Sequence, residues 1–326
     1  MMNSENPILK VEDLRVHFKT DDGLTVRAVD GVSFDLYKGK TLGIVGESGS
    51  GKSVTSLSIM GLLSIPPGKI EGGRALFHDK DLLSMSEKEL RRIRGNRISM
   101  IFQDPMTALN PFLTVSEQIT EVLRTHKKMN KKTARTRAVE LLSILGVADP
   151  DKRIDNYPHQ FSGGMRQRVM IAIALACDPE ILIADEPTSA LDVTIQAQIV
   201  ELMEGLSRKF GTAIIMITHD LGIVAGMCDE IVVMYAGHSV EKGDTRQIFA
   251  NPLHPYTEGL IQSVPRLDGE SKKLYSIPGQ PPDITNSMSG CPFAPRCYRR
   301  MERCNTEKPR LFEKEPGHWV SCHLYN

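Results

Sequence analysis

The stretch Gly43–Ser53, "GIVGESGSGKS", decides how the rest of the chain is read. It continues the apolar run "TLGIVG" that begins at Thr41, a predicted strand, and it precedes a predicted helix. Gly46 to Ser53 have the spacing G-x-x-x-x-G-K-S, with Ser48, Gly49 and Ser50 inside the loop and Gly51 closing it. Glycines let a backbone curl until successive N–H groups converge on phosphate oxygens, and the positive end of the next helix adds to the attraction. Lys52 can then reach the β- and γ-phosphates, and the Ser53 hydroxyl suits Mg²⁺.

Working outward, four more continuous apolar runs stand out: "ISMIF" at Ile98, "ILIAD" at Ile181, "AIIMIT" at Ala213 and "EIVVMYAG" at Glu230. Continuous rather than alternating apolarity marks strands buried on both faces of a mostly parallel sheet, and helical stretches separate these runs, so an α/β fold is expected. The first forty residues differ. "ILKVEDLRVHF" and "LTVRAVDGVSFDL" read as an antiparallel β layer laid down before the first parallel strand. Between the second and third runs lies a helical insertion, about 105–177. Thr114 and Glu117 have capping-box spacing and open one helix; Ala138, Leu141, Leu142 and Leu145 lie on one face of another, which ends near Gly146. After Ile248 the chain turns proline-rich, as in "NPLHPYTEGLIQSVP" and "SIPGQPPD". A boundary is expected near residue 250, with an extension over 251–326.

The 326 residues carry 40 basic and 40 acidic side chains, so no global charge draws the chain to nucleic acid or to an anionic membrane. The N-terminus "MMNSENPILK" lacks the apolar core of a signal peptide, and no apolar run approaches the ~18 residues of a membrane span. A cytoplasmic location is expected, with any membrane role exercised through a partner.

"ILIADEP" supplies the other half of a phosphoryl-transfer site. Asp185 ends an apolar strand where its carboxylate can serve Mg²⁺, and Glu186 can polarise a water for in-line attack on the γ-phosphate.

With these motifs stands "FSGGMRQR" at Phe161–Arg168, just before a predicted helix. It resembles the signature loop of the ATP-binding subunits of ATP-binding-cassette (ABC) transporters. Ser162, Gly163 and Gly164 match that loop; Phe161 and Met165 depart from its usual L-S-G-G-Q form. The resemblance implies an ABC-type nucleotide-binding domain over 1–250: a phosphate-loop parallel core, an antiparallel β layer and an inserted helical subdomain. It implies that Gln103 in "IFQDP" contacts Mg²⁺ and faces a transmembrane partner, that "SALD" at Ser189–Asp192 crosses a dimer interface, and that His219 in "ITHD" contacts the γ-phosphate. Phe18 is the candidate for stacking on adenine. Two such subunits pair head to tail, each presenting Ser162, Gly163 and Gly164 to the ATP on the other's phosphate loop.

The tail resembles, more narrowly, that of bacterial oligopeptide and dipeptide importer ATPases. Such a subunit is expected to dock on two transmembrane permease subunits at the inner face of the cell membrane. It would work with a second ATP-binding subunit, in a homodimer or heterodimer, and indirectly with a solute-binding protein. Nickel and other small-solute importers share this tail; a non-transport cassette ATPase of translation or DNA repair is a third possibility, opposed by the single cassette and the balanced charge.

"SGCPFAPRCYRRMERC" at Ser289–Cys304 adds a different chemistry. Cys291, Cys297, Cys304 and Cys322 lie among Arg296, Arg299, Arg300, Arg303, Lys308 and Arg310. Free thiols, disulfides, a zinc site and an iron–sulfur cluster are the readings open to them. The spacings lack the close C-x₂₋₄-C pair usual for structural zinc, whereas a cluster accepts wider ones, and nearby cations would offset its negative charge. The importer resemblance implies a [4Fe–4S] centre here. Cys177 and Cys228 lie in apolar stretches and are expected to be inert packing residues.

Overall fold

The computed structural model describes residues 6–188, 193–264, 275–285 and 288–326. Two long strands, β1 (Leu9–Lys19) and β2 (Thr25–Leu36), precede β3 (Thr41–Val45), α1 (Lys52–Ile59), β4 (Gly68–Phe77) and the short β5 (Lys80–Asp81). A largely helical stretch holds α2 (Glu87–Ile93), β6 (Ile98–Ile101), α3 (Pro105–Ala108), α4 (Val115–His126), α5 (Lys131–Ile144), α6 (Pro150–Arg153) and α7 (Gly163–Leu175). Next come β7 (Ile181–Asp185), α8 (Val193–Phe210), β8 (Ala213–Thr218), α9 (Leu221–Met227), β9 (Glu230–Tyr235) and β10 (His238–Asp244). Then follow α10 (Thr245–Ala250) and α11 (Pro255–Gln262), and the tail ends in β11 (Phe312–Glu315) and β12 (His318–Val320). These elements form two compact units: Met1–Tyr37 with Thr41–Ser84 and Ile217–Asn326, and Lys38–Lys40 with Met85–Met216.

All five continuous apolar runs fold as strands. β3, β6, β7 and β8 are buried at every position, and β9 at every position except Glu230. Full burial on both faces is why these runs show no alternation.

In the first unit the antiparallel layer has the order β2–β1–β4–β5. Leu9 of β1 faces Leu36 of β2 and Phe77 of β4. Sequence reading recovers β1 and β2 but passes over β4, whose "EGGR" centre dilutes the strand pattern. Beside this layer β3 runs parallel to β9, with Ile44 opposite Val232, and the sheet continues through β10 to β12 and β11. The tail thus joins the first unit by strand pairing: Glu241 faces Val320 and Lys242 faces Trp319.

A buried polar knot fastens this junction. Glu241 and His318 have no exposed surface. Glu241 accepts from the backbone N–H groups of Leu253 and His254, both at 2.8 Å, and lies 2.7 Å from His318 Nε2. A buried carboxylate is tolerated only when so satisfied, and removing one partner costs about 1–3 kcal/mol.

In the second unit β6 runs parallel to β7, with Ile98 opposite Ile181, and β8 is the other neighbour of β7. α4 opens as expected: the Glu117 N–H donates to Thr114 Oγ1 at 3.2 Å, and Glu117 accepts from the Thr114 N–H at 2.8 Å. α5 ends at Ile144 with Leu145 as its cap, and Gly146 takes the left-handed conformation that stops it, at φ 69°. α7 buries Val169, Met170, Ile171, Ala172, Ala174 and Leu175 on several faces, as a helix enclosed by protein does. Among the described residues no helix is long and apolar enough to cross a membrane.

Candidate functional site

β3 delivers the chain into a loop whose conformation only glycine accepts at two points. Gly46 has φ 155°, and a Cβ there would collide with the carbonyl oxygen of Met234. Gly51, the residue before α1, has φ 100°, and its Cβ would strike the carbonyl of Ala28. Between them Ser48 and Gly49 form an exposed tip. The loop is tied at its base: the Ser50 N–H donates to the Glu47 carbonyl at 3.2 Å, and the Gly237 N–H donates to the Ser50 carbonyl at 3.0 Å. Lys52 is buried and curls back, its Nζ donating to the carbonyls of Gly46 at 2.8 Å and Glu47 at 2.9 Å. Ser50 Oγ is buried without a hydrogen-bond partner. A curled backbone, an inturned ammonium and an unsatisfied hydroxyl at a helix N-terminus make a cradle suited to phosphate oxygens.

The first unit also holds Phe18 and His219. Phe18 lies on β1 opposite Val26 and Gly68, half-buried, its ring against Gly68 so closely that a Cβ there would sit 2.9 Å from Phe18 Cε1. His219 is exposed just past β8. The next residue, Asp220, caps α9 by accepting from Gly222 N–H at 2.8 Å.

The second unit carries the acidic pair. Asp185 closes β7 and is 4% exposed. Glu186 takes the left-handed conformation at φ 45°, unusual for a residue with a Cβ and of a kind that concentrates at functional sites. Gln103 Nε2 donates to Glu186 Oε2 at 3.1 Å, so these two expected catalytic groups touch. Ser162 caps α7, its Oγ accepting from the Met165 N–H at 3.4 Å. Ser162 and Gly163 are exposed, and nothing lies within 4 Å of where a Cβ on Gly163 would be. "SALD" at Ser189–Asp192 lies outside the described residues.

Sequence reading missed Gln167. It lies on α7, is 3% exposed, and its Nε2 donates to the Pro187 carbonyl at 2.6 Å, tying the signature helix to the chain just beyond Glu186. Set between Arg166 and Arg168 in the polar first turns of α7, it carries no sign of burial in the sequence.

The tail differs from expectation in two respects. Cys291, Cys297 and Cys322 lie close enough to one another and to Cys304 to interact electrostatically, and the Cys291 N–H donates to the Cys304 carbonyl at 2.9 Å. Burial pushes the Cys291 and Cys322 thiols up to about 11. Among the described residues no group of three or more His, Cys, Asp or Glu is disposed to hold a metal ion. The arrangement therefore gives no support to the [4Fe–4S] centre or to its zinc alternative. Nor do all six cations attend the thiols. Arg296 pairs with Glu47 of the phosphate loop, Arg303 with Glu307 at 2.7 Å and Lys308 with Asp30 at 3.2 Å. Cys228 is pushed up to about 12 by burial beside α9, as an inert packing thiol should be.

Comparison with known proteins places the chain in context. Residues 29–189 match the family model described as ABC transporter, and 240–304 match the oligopeptide/dipeptide transporter C-terminal region. The dipeptide transport ATP-binding protein DppD of Bacillus subtilis is 57% identical over 97% of this chain and 94% of its own length. The oligopeptide transport ATP-binding protein OppD of Haemophilus influenzae is 52% identical over 98% of this chain and 99% of its own. Among solved structures, a dimeric ATP-binding cassette in a post-hydrolysis state with ADP and Pi matches with a TM-score of 0.66 and 28% identity. That match covers 73% of this chain and 99% of the cassette.

Proposed function

This chain belongs to the ATP-binding subunits of ABC transporters, in the group related to oligopeptide and dipeptide transport, and from that premise we propose that it is the ATP-hydrolysing motor of a peptide importer. The observation that carries the reading is the loop from Gly46 to Lys52, with its two obligatory glycines, its inturned lysine and the unsatisfied Ser50 hydroxyl.

In this reading the backbone of Gly46, Ser48, Gly49, Ser50 and Gly51 receives the phosphates and Lys52 balances their charge. Mg²⁺ would be held by the Ser53 hydroxyl, the Asp185 carboxylate and the Gln103 amide oxygen, a hard-oxygen set suited to it. Bound there, the ion would offset charge developing on the phosphates. Glu186 orients and deprotonates the attacking water, with Gln103 fixing its carboxylate. His219 contacts the γ-phosphate and Phe18 stacks on adenine. Ser162, Gly163 and Gly164 face the nucleotide of a second ATP-binding subunit, which fits the exposure of Ser162 and Gly163 at the start of α7.

Two permease subunits are the proposed membrane partners, with a solute-binding protein acting through them. The segment that carries Gln103 also exposes Phe102, Met106 and Phe112, the last 86% exposed, and this segment is the proposed docking side. The protein would then work at the inner face of the membrane. The test is affinity purification followed by ATPase assay in proteoliposomes. Two co-purifying integral membrane proteins and hydrolysis stimulated by peptide-loaded binding protein are expected. Purification with ribosomes or DNA, or no hydrolysis by the assembled complex, would overturn the reading.

A further inference from the structure

Glu47 sits inside the phosphate loop, one residue after Gly46, and both its ends are held. Its carboxylate receives a two-pronged ion pair from Arg296, Nη1 to Oε2 at 2.6 Å and Nη2 to Oε1 at 3.0 Å. Its backbone N–H donates to the Tyr256 hydroxyl at 2.8 Å. Arg296 comes from the far end of the chain, 249 residues later, between Cys291 and Cys297.

The guanidinium is built in rather than resting on a surface. Its side chain is 5% exposed. Besides Glu47 it donates to the carbonyls of Pro278 at 3.0 Å and Ile277 at 3.3 Å, and to the Tyr235 hydroxyl at 3.3 Å. Those five bonds use all five N–H donors of the fork, a set that lysine cannot reproduce. The segment "IPGQPPD" passes here on a glycine: Gly279 has φ 78°, and a Cβ on it would lie 3.3 Å from Arg296 Cγ.

We propose that Arg296 is a positioning residue for the nucleotide site: from the tail it neutralises and orients Glu47, and with Tyr256 it holds the phosphate loop ready for ATP. This rests on Gly46–Ser53 being the ATP loop. Two effects follow from the geometry. A glycine-rich loop gains binding strength when its ordering is settled before the ligand arrives. An unpaired Glu47 carboxylate would also repel the incoming triphosphate.

The test compares ATP titrations of hydrolysis, and equilibrium binding of a fluorescent ATP analogue, across variants of the full chain. Arg296→Met should weaken ATP binding about ten-fold, while kcat at saturating ATP stays within about two-fold. Arg296→Lys should weaken binding by several-fold, because the fork is lost although the charge remains. Adding Glu47→Gln to Arg296→Met should restore most of the affinity, since the repelling charge is gone; a merely structural arginine would gain nothing from that second change. If Arg296→Met fails to fold, Arg296→Lys alone decides. Unchanged affinity in the Arg296 variants, or a loss that Glu47→Gln leaves in place, overturns the proposal. A wild-type chain that does not bind ATP, or a Lys52→Ala chain that binds it normally, overturns the ATP reading itself.

Discussion

Two glycine-bearing helix starts in this molecule carry similar chemistry and opposite surroundings. The phosphate loop before α1 is enclosed: its glycines abut the carbonyls of Met234 and Ala28, Lys52 stitches it internally, and Gly237, Tyr256 and Arg296 hold it from outside. The signature loop before α7 is open where Ser162 and Gly163 are exposed and free space surrounds the place of a Cβ on Gly163, although the Phe161 N–H and Arg166 Nε both donate to the Pro158 carbonyl behind it. Both end in a helix whose N–H groups attract anions. A loop finished on its own chain can bind a ligand alone, whereas an open one waits for a surface to complete it. The contrast fits the proposed function, in which the first captures ATP and the second closes over another chain's ATP.

The largest test of that contrast is Glu186→Gln. Removing the general base should cut hydrolysis about a thousand-fold while ATP binding persists, so the paired, closed state accumulates on ATP and is seen as a dimer by size-exclusion chromatography. Lys52→Ala should break the enclosed loop, lowering ATP affinity about a hundred-fold in a binding titration, as loss of a buried charge contact to phosphate implies.

Acid attacks the enclosed loop from behind. His254 Nδ1 accepts from the Tyr256 N–H at 3.1 Å, and Tyr256 in turn holds Glu47. Burial pushes the His254 imidazole down to about 4, so the unfolded chain takes up a proton near pH 6.5 that the folded chain refuses until about pH 4. Stability from this group is therefore complete above pH 6.5 and falls as pH drops from 6.5 to 4, by up to about 3 kcal/mol. Melting curves should show that slope, and His254→Gln should reduce it, leaving the part due to His238, which burial also pushes down to about 4.

The open loop should respond more gently. Ser162→Ala should leave ATP affinity of the isolated subunit unchanged and lower hydrolysis of the paired form about ten-fold, as removal of one capping and phosphate-facing hydroxyl implies. Gly163→Ala meets no atoms, so it should raise the melting temperature slightly, by less than about 1 kcal/mol of added stability.

Local patterns were the legible part. The five strands, the capping box at Thr114 and the two glycine loops are each set by residues within a dozen positions of one another, where periodicity and backbone chemistry act directly. Gln103 was singled out only through the family resemblance, and its hydrogen bond to Glu186, 83 residues away, shows only in the fold. What escaped depends on partners remote in the chain. β4 hides behind its glycines, and β11 and β12 are strands because β10 supplies an edge. Arg296 looked like one cation among six beside the thiols; only the fold shows it reaching Glu47. The thiol cluster marks the same limit from the other side, since spacing along the chain does not settle whether four sulfurs converge on a metal.

The measurement that tests the account most directly mixes two inactive chains. Lys52→Ala disables the enclosed loop and Ser162→Arg blocks the open one, and each should be inactive alone. Mixed, they can form a dimer in which the intact phosphate loop of one chain meets the intact signature loop of the other. Return of ATP hydrolysis on mixing is the predicted result. A mixture that stays inactive, while the wild-type chain hydrolyses ATP under the same conditions, would contradict the assignment of the two loops to complementary halves of a shared site.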